Sequence, residues 1–324
     1  MHYRRLGKSG LEVSVLGLGT NAFGKRADEA ASAQIIGYAL EQGINFIDTA
    51  NIYANTESEA IIGRTLQGKR HEVVLATKAG LVRGRGPNES GSSRQHLQRE
   101  LEASLKRLKT DYIDLYQIHT FDPNTPLEET LRTLDDMVSA GKVRYIGASN
   151  YLAWELMKAM GISQAQGFCR FHSTQISYSL ADRTPERELV AMCLDQGVGI
   201  IPYFPLAGGI LSGKYTHDNK APQSSRAQTD PNFGAFIHDE AITLAHEVGR
   251  LAEQYGYTSS ALSLAWLMNR PAVSTVIVGA TRTEQLKENI NSAAIRLDDT
   301  LKSSLDDVSA GFVHGKPFAH YRLP

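Results

Sequence analysis

Four polar side chains in the first part of the chain, Asp48, Tyr53, Lys78 and His119, have the types needed to hand a proton to a ligand. Asp48 and Tyr53 lie in the stretch Gly43-Ile44-Asn45-Phe46-Ile47-Asp48-Thr49-Ala50-Asn51-Ile52-Tyr53, which runs from a helix stop through an apolar run to two polar groups. Lys78 and His119 follow the apolar runs ending at Thr77 and Ile118. A phenol, with an ordinary pKa of about 10, gives up its proton reluctantly near neutrality. An ammonium about 4 to 5 Å away, at an effective dielectric near 20, contributes roughly the 3 to 4 kcal/mol that lowers this value by about two to three units. Asp48 would keep Lys78 charged and in place, and His119 would orient or polarise the group receiving the proton. Each residue also has a bland reading taken singly: a structural ion pair for Asp48 and Lys78, a core histidine for His119.

The elements that would bring these four together alternate between strand and helix. Tyr3 to Val13 reads as a hairpin, and Val13 to Leu18 as the first core strand. Further strands are expected at Ile44–Asp48, Glu72–Thr77, Ile113–Ile118, Val143–Gly147, Phe171–Ile176, Gly199–Pro202 and Ser274–Val278. Helices fall between them: from about Asp28, from Ser58 to Gly68, and from Ser92 or Ser93 through Leu97, Leu101, Leu105 and Leu108. Others run from Pro126 to Gly141, Leu152 to Met160, Pro185 to Gln196, Asp239 to Tyr255, Ser259 to Asn269, Thr283 to Ala293 and Asp298 to Val308. Eight strand-helix alternations without a linker-like change of composition predict an α/β chain forming one (β/α)8 TIM barrel domain over residues 1–324, with an N-terminal hairpin. In such a barrel the carboxyl ends of the strands share one mouth, where the four polar residues would converge. Long loops belong to that face, above all Leu206 to about Phe236.

A doubly wound dinucleotide-binding sheet is the rival, because Gly17-Leu18-Gly19-Thr20-Asn21-Ala22 matches Gly-x-Gly-x-x-Ala after a strand. The helix that should open inside the motif begins only near Asp28, and no Tyr-x-x-x-Lys pair occurs. With 34 basic and 35 acidic residues among 324, the formal charge of −1 favours neither nucleic acid nor an anionic membrane, so the expected ligand is a small molecule. No apolar run is long enough to span a bilayer, and Met1-His2-Tyr3-Arg4-Arg5 does not resemble a secretory signal, so a cytoplasmic protein is expected. Cys169 and Cys193 have no metal or redox spacing and read as buried thiols; no metal site is expected.

Together with Gly147-Ala148-Ser149-Asn150, Gln175, Tyr203-Phe204-Pro205-Leu206, Gly209-Ile210-Leu211-Ser212-Gly213-Lys214 and Gly279-Ala280-Thr281-Arg282-x-x-Gln285-Leu286-x-Glu288-Asn289, the four residues resemble the aldo-keto reductase family over nearly the full length. The resemblance implies NADPH-dependent reduction of an aldehyde or ketone, with Tyr53 as general acid, Lys78 and Asp48 tuning it, and His119 positioning the carbonyl. It implies a carboxamide-binding set in Ser149, Asn150 and Gln175, and a ring of Tyr203 stacked on nicotinamide. Leu206, Gly208, Leu211 and Lys214 would cover the pyrophosphate; Arg282, with Gly279 and Thr281 before it, would favour the 2′-phosphate of NADP(H) over NAD(H); Gln285 and Asn289 would lie near the adenine. Phe204 replaces a common Ser, Ala280-Thr281 a Lys-Ser pairing, and Asn55-Thr56 a Gly-rich turn. The branch also resembles potassium-channel auxiliary subunits, which makes a cofactor-binding regulatory subunit the alternative. Phe23, Phe121, Phe233, Phe236, Phe312, Phe318 and Tyr321 are candidates for an apolar wall, and the Arg83-Gly84-Arg85 loop for attracting an anion. Substrate identity and homo-oligomerisation stay open.

Overall fold

The computed structural model describes residues 1–223, 225–229, 233, 237–319 and 321–323. Tyr3–Arg5 (β1) pairs antiparallel with Glu12–Ser14 (β2). This hairpin plugs the N-terminal end of a larger sheet, with Lys8 N–H donating to Gly197 O and Gly7 N–H to Ser274 Oγ. Val13, expected both to end the hairpin and to open the first core strand, belongs to the hairpin alone, opposite Arg4, and the core strand begins at Leu16.

Eight parallel strands follow: Leu16–Gly19 (β3), Phe46–Asp48 (β4), Val74–Ala79 (β5), Ile113–Ile118 (β6), Val143–Ser149 (β7), Phe171–Ser177 (β8), Gly199–Tyr203 (β9) and Val276–Gly279 (β10). Their order is β10-β3-β4-β5-β6-β7-β8-β9. The remaining seam, between β9 and β10, is closed by a parallel bridge at Ile200 and Val273, giving a nearly closed (β/α)8 barrel. Most strand residues are buried on both faces, as expected where helices cover the outside and side chains fill the inside.

The outer layer contains Glu29–Glu41 (α1), Glu57–Thr65 (α2), Arg94–Leu108 (α3), Leu127–Ser139 (α4), Ala153–Gln166 (α5), Leu189–Gln196 (α6), the short Arg226–Thr229 (α7), Asp239–Gln254 (α8), Ser259–Met268 (α9), Thr283–Asn291 (α10) and Asp299–Val308 (α11). Side chains of Asp28, Ser93, Thr258 and Asp298 accept backbone N–H groups in the first turns of α1, α3, α9 and α11. Gly161 does not end α5: an exposed helical glycine costs only about 1 kcal/mol, and the helix is capped at Gly167, whose φ is +69°. Pro126 caps α4 rather than entering it, and Pro185 sits in a separate 3-10 turn before α6. The Gly17–Ala22 stretch ends β3 without opening a helix. Gly17 is needed for packing, since an added Cβ would lie 2.8 Å from the Phe46 ring.

Candidate active site

Strand register sets the site. Lys78 on β5 lies beside Gln117 on β6, which lies beside Gly147 on β7 and then Ser173 on β8; one step nearer the mouth, Ser149 pairs with Gln175. Gly147 makes room in this layer, because a Cβ there would come within 2.6 Å of Ser173 Oγ and 3.2 Å of Gln117 Cγ. Asp48 ends β4, two strands from Gln117, so its carboxylate reaches the same interior.

The result is a buried polar network. Lys78 Nζ donates to Asp48 Oδ2 at 2.6 Å, to Thr49 O at 2.7 Å and to the Tyr53 hydroxyl oxygen at 3.2 Å. These three acceptors match the three protons of an ammonium. Asp48 Oδ1 accepts from Gln117 Nε2 at 3.0 Å and from Gln175 Nε2 at 2.8 Å. With its oxygen already accepting from Lys78, the Tyr53 hydroxyl keeps its own proton available for another acceptor. The His119 ring stands edge-on to Tyr53, with centroids 6.1 Å apart, and its buried Nδ1 has no hydrogen-bond partner among the described residues.

The electrostatics correct one sequence-based expectation. Burial holds the Tyr53 phenol above its ordinary value; Lys78 opposes that rise and Asp48 adds to it. A single cation therefore does not make this phenol acidic, because burial withdraws water from the phenolate and Asp48 cancels part of the Lys78 field. Burial is the strongest single influence on Lys78 and opposes its charge, yet Asp48 and Tyr53 together outweigh it and the ammonium is held above its usual value. His119 is driven well below the usual imidazole value by burial and by Lys78, and is neutral at pH 7. The site thus holds a charged lysine, a loaded phenol and a neutral imidazole.

The backbone after Tyr53 is unusual. Ala54, Asn55 and Thr56 follow one another with φ of 47°, 52° and 83°, none of them glycine. A left-handed residue with a Cβ costs roughly 1 to 2 kcal/mol. Behind this turn Ser58, in the first turn of α2, is fully buried. Its hydroxyl lies 3.0 Å from each of Thr20 O, Thr20 Oγ1 and Thr49 Oγ1. Thr20 Oγ1 also donates to Asp48 O.

At the mouth, Ser149 Oγ donates to Gln175 O, and Asn150 Nδ2 donates to His119 O at 2.9 Å. The Tyr203 hydroxyl donates to Asn150 Oδ1 at 2.7 Å, and its ring lies 6.2 Å from that of Tyr321. The C-terminal segment is fastened across this region: Phe318 N–H donates to buried Asp182, Thr120 Oγ1 donates to Tyr321 O, and Arg322 forms an ion pair with buried Glu155 at 2.9 Å. Among the expected wall aromatics, Phe23 and Phe233 are buried core residues; Phe121 packs edge-on against Trp154 and Phe318 against Phe204. Phe236 lies outside the described residues.

Leu211 is buried in the core and Leu206 packs against it half-buried, and Gly208 lies against Phe233, where a Cβ would be 2.2 Å from the ring. Burial and the nearby Arg282 both lower the Lys214 ammonium pKa. Neither cation has an ion pair or hydrogen bond among the described residues, and the Lys214 ammonium lies 5.4 Å from the centre of the Tyr215 ring. Arg282 is the capping residue of α10, whose first backbone N–H groups add positive potential. Two neighbouring cations without a counter-charge suit the phosphates of a nicotinamide dinucleotide. Gln285 Oε1 accepts from Thr281 N–H and its hydroxyl, Asn289 is buried, Glu288 faces solvent, and Gly279 is exposed at the end of β10.

Gln117 was not singled out in the sequence. It sits two residues before His119, where strand alternation puts both on one face, and a buried amide in an apolar strand is the readable signal. Arg83 faces Glu100 at 3.6 Å, and Glu100 also accepts from Asn51 of the Tyr53 loop, so Arg83 is engaged by an internal carboxylate. Both cysteines are free.

A sequence model described as the Aldo/keto reductase family matches residues 15–310. An uncharacterized oxidoreductase of Bacillus subtilis, YrpG, is 37% identical over 96% of this chain and 97% of its own length. A probable voltage-gated potassium channel subunit beta of Arabidopsis thaliana is 34% identical over 91% of this chain and 92% of its own. A probable aldo-keto reductase 1 of Glycine max is 34% identical over 96% and 90%.

Proposed function

The chain belongs to the aldo/keto reductase family, and from that premise we propose that it reduces an aldehyde or ketone to an alcohol with NADPH, Tyr53 acting as general acid. The observation that carries this reading is the 3.2 Å contact from Lys78 Nζ to the Tyr53 hydroxyl, backed by Asp48 at 2.6 Å. Lys78 occupies the phenol oxygen as an acceptor, which directs the phenolic proton away from Asp48 and toward a substrate oxygen. Burial keeps that proton on Tyr53 until a stronger base appears, which a carbonyl oxygen becomes as it gains negative charge. Neutral His119 lies beside Tyr53 and can offer a hydrogen bond to the same oxygen.

Bound dihydronicotinamide would supply the hydride, and in the reverse direction its oxidised form would accept one. Ser149, Asn150 and Gln175 would hold its carboxamide, and Tyr203 would lie along one ring face. Lys214 and Arg282 would take the phosphates, with Gln285 and Asn289 toward the adenine. Arg282, a guanidinium at a helix start, underlies the preference for NADP(H) over NAD(H).

A second reading is favoured by the likeness to the Arabidopsis potassium channel subunit beta: an auxiliary subunit that binds the cofactor with little turnover. NADPH absorbance followed with a panel of aldehydes, ketones and sugars decides between them. Carbonyl-dependent NADPH loss is expected. NADPH binding without turnover on any carbonyl, together with stable capture of a membrane partner, would overturn the enzyme reading.

A further inference from the structure

We propose that Ser58 is a positioning residue for Tyr53: its buried hydroxyl holds the left-handed turn Ala54–Thr56 against its own strain, and so keeps the phenol on Lys78. The inference deepens the proposed function and rests on Tyr53 being the proton donor.

Tyr53 is followed immediately by three left-handed residues that carry side chains. Thr56 is the most costly of them, being β-branched at φ 83°, and its side chain makes no capping bond to α2. Strain of this kind persists only where the surroundings over-determine it. The clamp is visible on both sides. Gly24, itself at φ +74°, presses under the turn so closely that an added Cβ would lie 2.8 Å from Glu57 Cγ and 3.3 Å from Ala54 Cβ. Beyond the turn, Ser58 ties α2 to Thr20 and Thr49, and Lys78 bonds to the carbonyl of that same Thr49. Next to it buried Glu59 accepts from Thr77 Oγ1 and from Arg107 Nε, each at 2.6 Å, fixing α2 to β5 beside Lys78. The same hydroxyl cluster thus holds the far end of the strained turn and the backbone oxygen that orients the lysine.

If the turn is strained, loss of the Ser58 hydroxyl lets it relax toward right-handed conformations, which carries Tyr53 off Lys78. Glycine at position 56 removes the largest single part of the drive to relax, because glycine populates positive φ without penalty and serves adequately at a helix N-cap.

The test uses full-length Thr56→Gly, Ser58→Ala, the double variant and a Tyr53→Phe control, each assayed for NADPH affinity, kcat and pH profile. Thr56→Gly alone is expected to raise the thermal midpoint, and a lower midpoint would show that the turn is unstrained and overturn the proposal. Ser58→Ala is expected to lower kcat at least about tenfold with little change in NADPH affinity. Its alkaline limb should move upward, because Tyr53 loses Lys78, which opposes the rise caused by burial. The double variant is expected to recover most of that kcat. A merely structural role for Ser58 would not be rescued by a glycine elsewhere, so absence of rescue overturns the proposal, as does full activity in Ser58→Ala. Loss of activity in Tyr53→Phe with none in Ser58→Ala refutes the positioning role alone. Retained activity in Tyr53→Phe refutes the proton-donor reading beneath it.

Discussion

The barrel interior and the rim beside α10 treat charge in opposite ways. Inside, Lys78 has Asp48, Thr49 and Tyr53, while Asp48 has Lys78, Gln117 and Gln175, so the ion pair is satisfied within the chain. At the rim, neither Lys214 nor Arg282 has an ion-pair partner among the described residues, and Arg282 lies near enough to disfavour the charge on Lys214. The first arrangement is built before a ligand arrives, as catalysis by preorganised groups requires. The second is completed only by an anion. The difference separates residues expected to govern the rate from residues expected to govern binding, and each can be broken independently.

The largest effect is expected inside. Lys78→Met should lower kcat by about 10²- to 10³-fold, in the range of a lost acid-base partner, while NADPH affinity stays near wild type. It also strands buried Asp48, at a cost of about 3 to 5 kcal/mol. The double variant Asp48→Asn/Lys78→Met should regain much of the thermal midpoint and none of the activity, which separates folding from chemistry. At the rim, Arg282→Ala should weaken NADPH binding by about 10- to 100-fold, as expected for a lost charge-assisted pair, with NADH binding little changed. Equal losses for the two dinucleotides would remove Arg282 from the 2′-phosphate.

A smaller effect concerns pH. In the unfolded chain His119 takes a proton near pH 6.5, whereas the folded protein binds it only at lower pH. The unfolded state therefore holds more protons in that window, and stability rises with pH across it and is lost as pH falls below about 6.5. His119→Gln should flatten part of that loss, measured as urea midpoints from pH 7 to 5. An unchanged slope would place the acid sensitivity at other buried histidines such as His96, which burial also shifts downward.

The barrel was legible because its strands are short buried apolar runs between amphipathic helices, a pattern that survives without knowledge of partners. Asp48, Lys78 and His119 were legible for the same reason: each stands at a strand end, where register alone carries it to the mouth. Gln117 was hard to read because its strand also carries Asp114, and nothing in the strand says which buried polar group serves the interior until Asp48 arrives from two strands away. The direction of the Tyr53 shift was not readable either, since it depends on how much water burial removes, a property of the assembled site. The strain at Ala54–Thr56 was only partly legible: Asn55 tolerates positive φ, but nothing in Ala54 or Thr56 asks for it, and there the conformation is imposed by Gly24 below and Ser58 beyond.

The central claim is that Tyr53 gives the substrate oxygen its proton while Lys78 holds it in place. Single-turnover hydride transfer from bound NADPH in Tyr53→Phe tests this most directly. We expect NADPH to bind as in wild type and the rate of transfer to a carbonyl to fall by about 10²- to 10⁴-fold. Transfer at the wild-type rate, with the phenol gone, would contradict it.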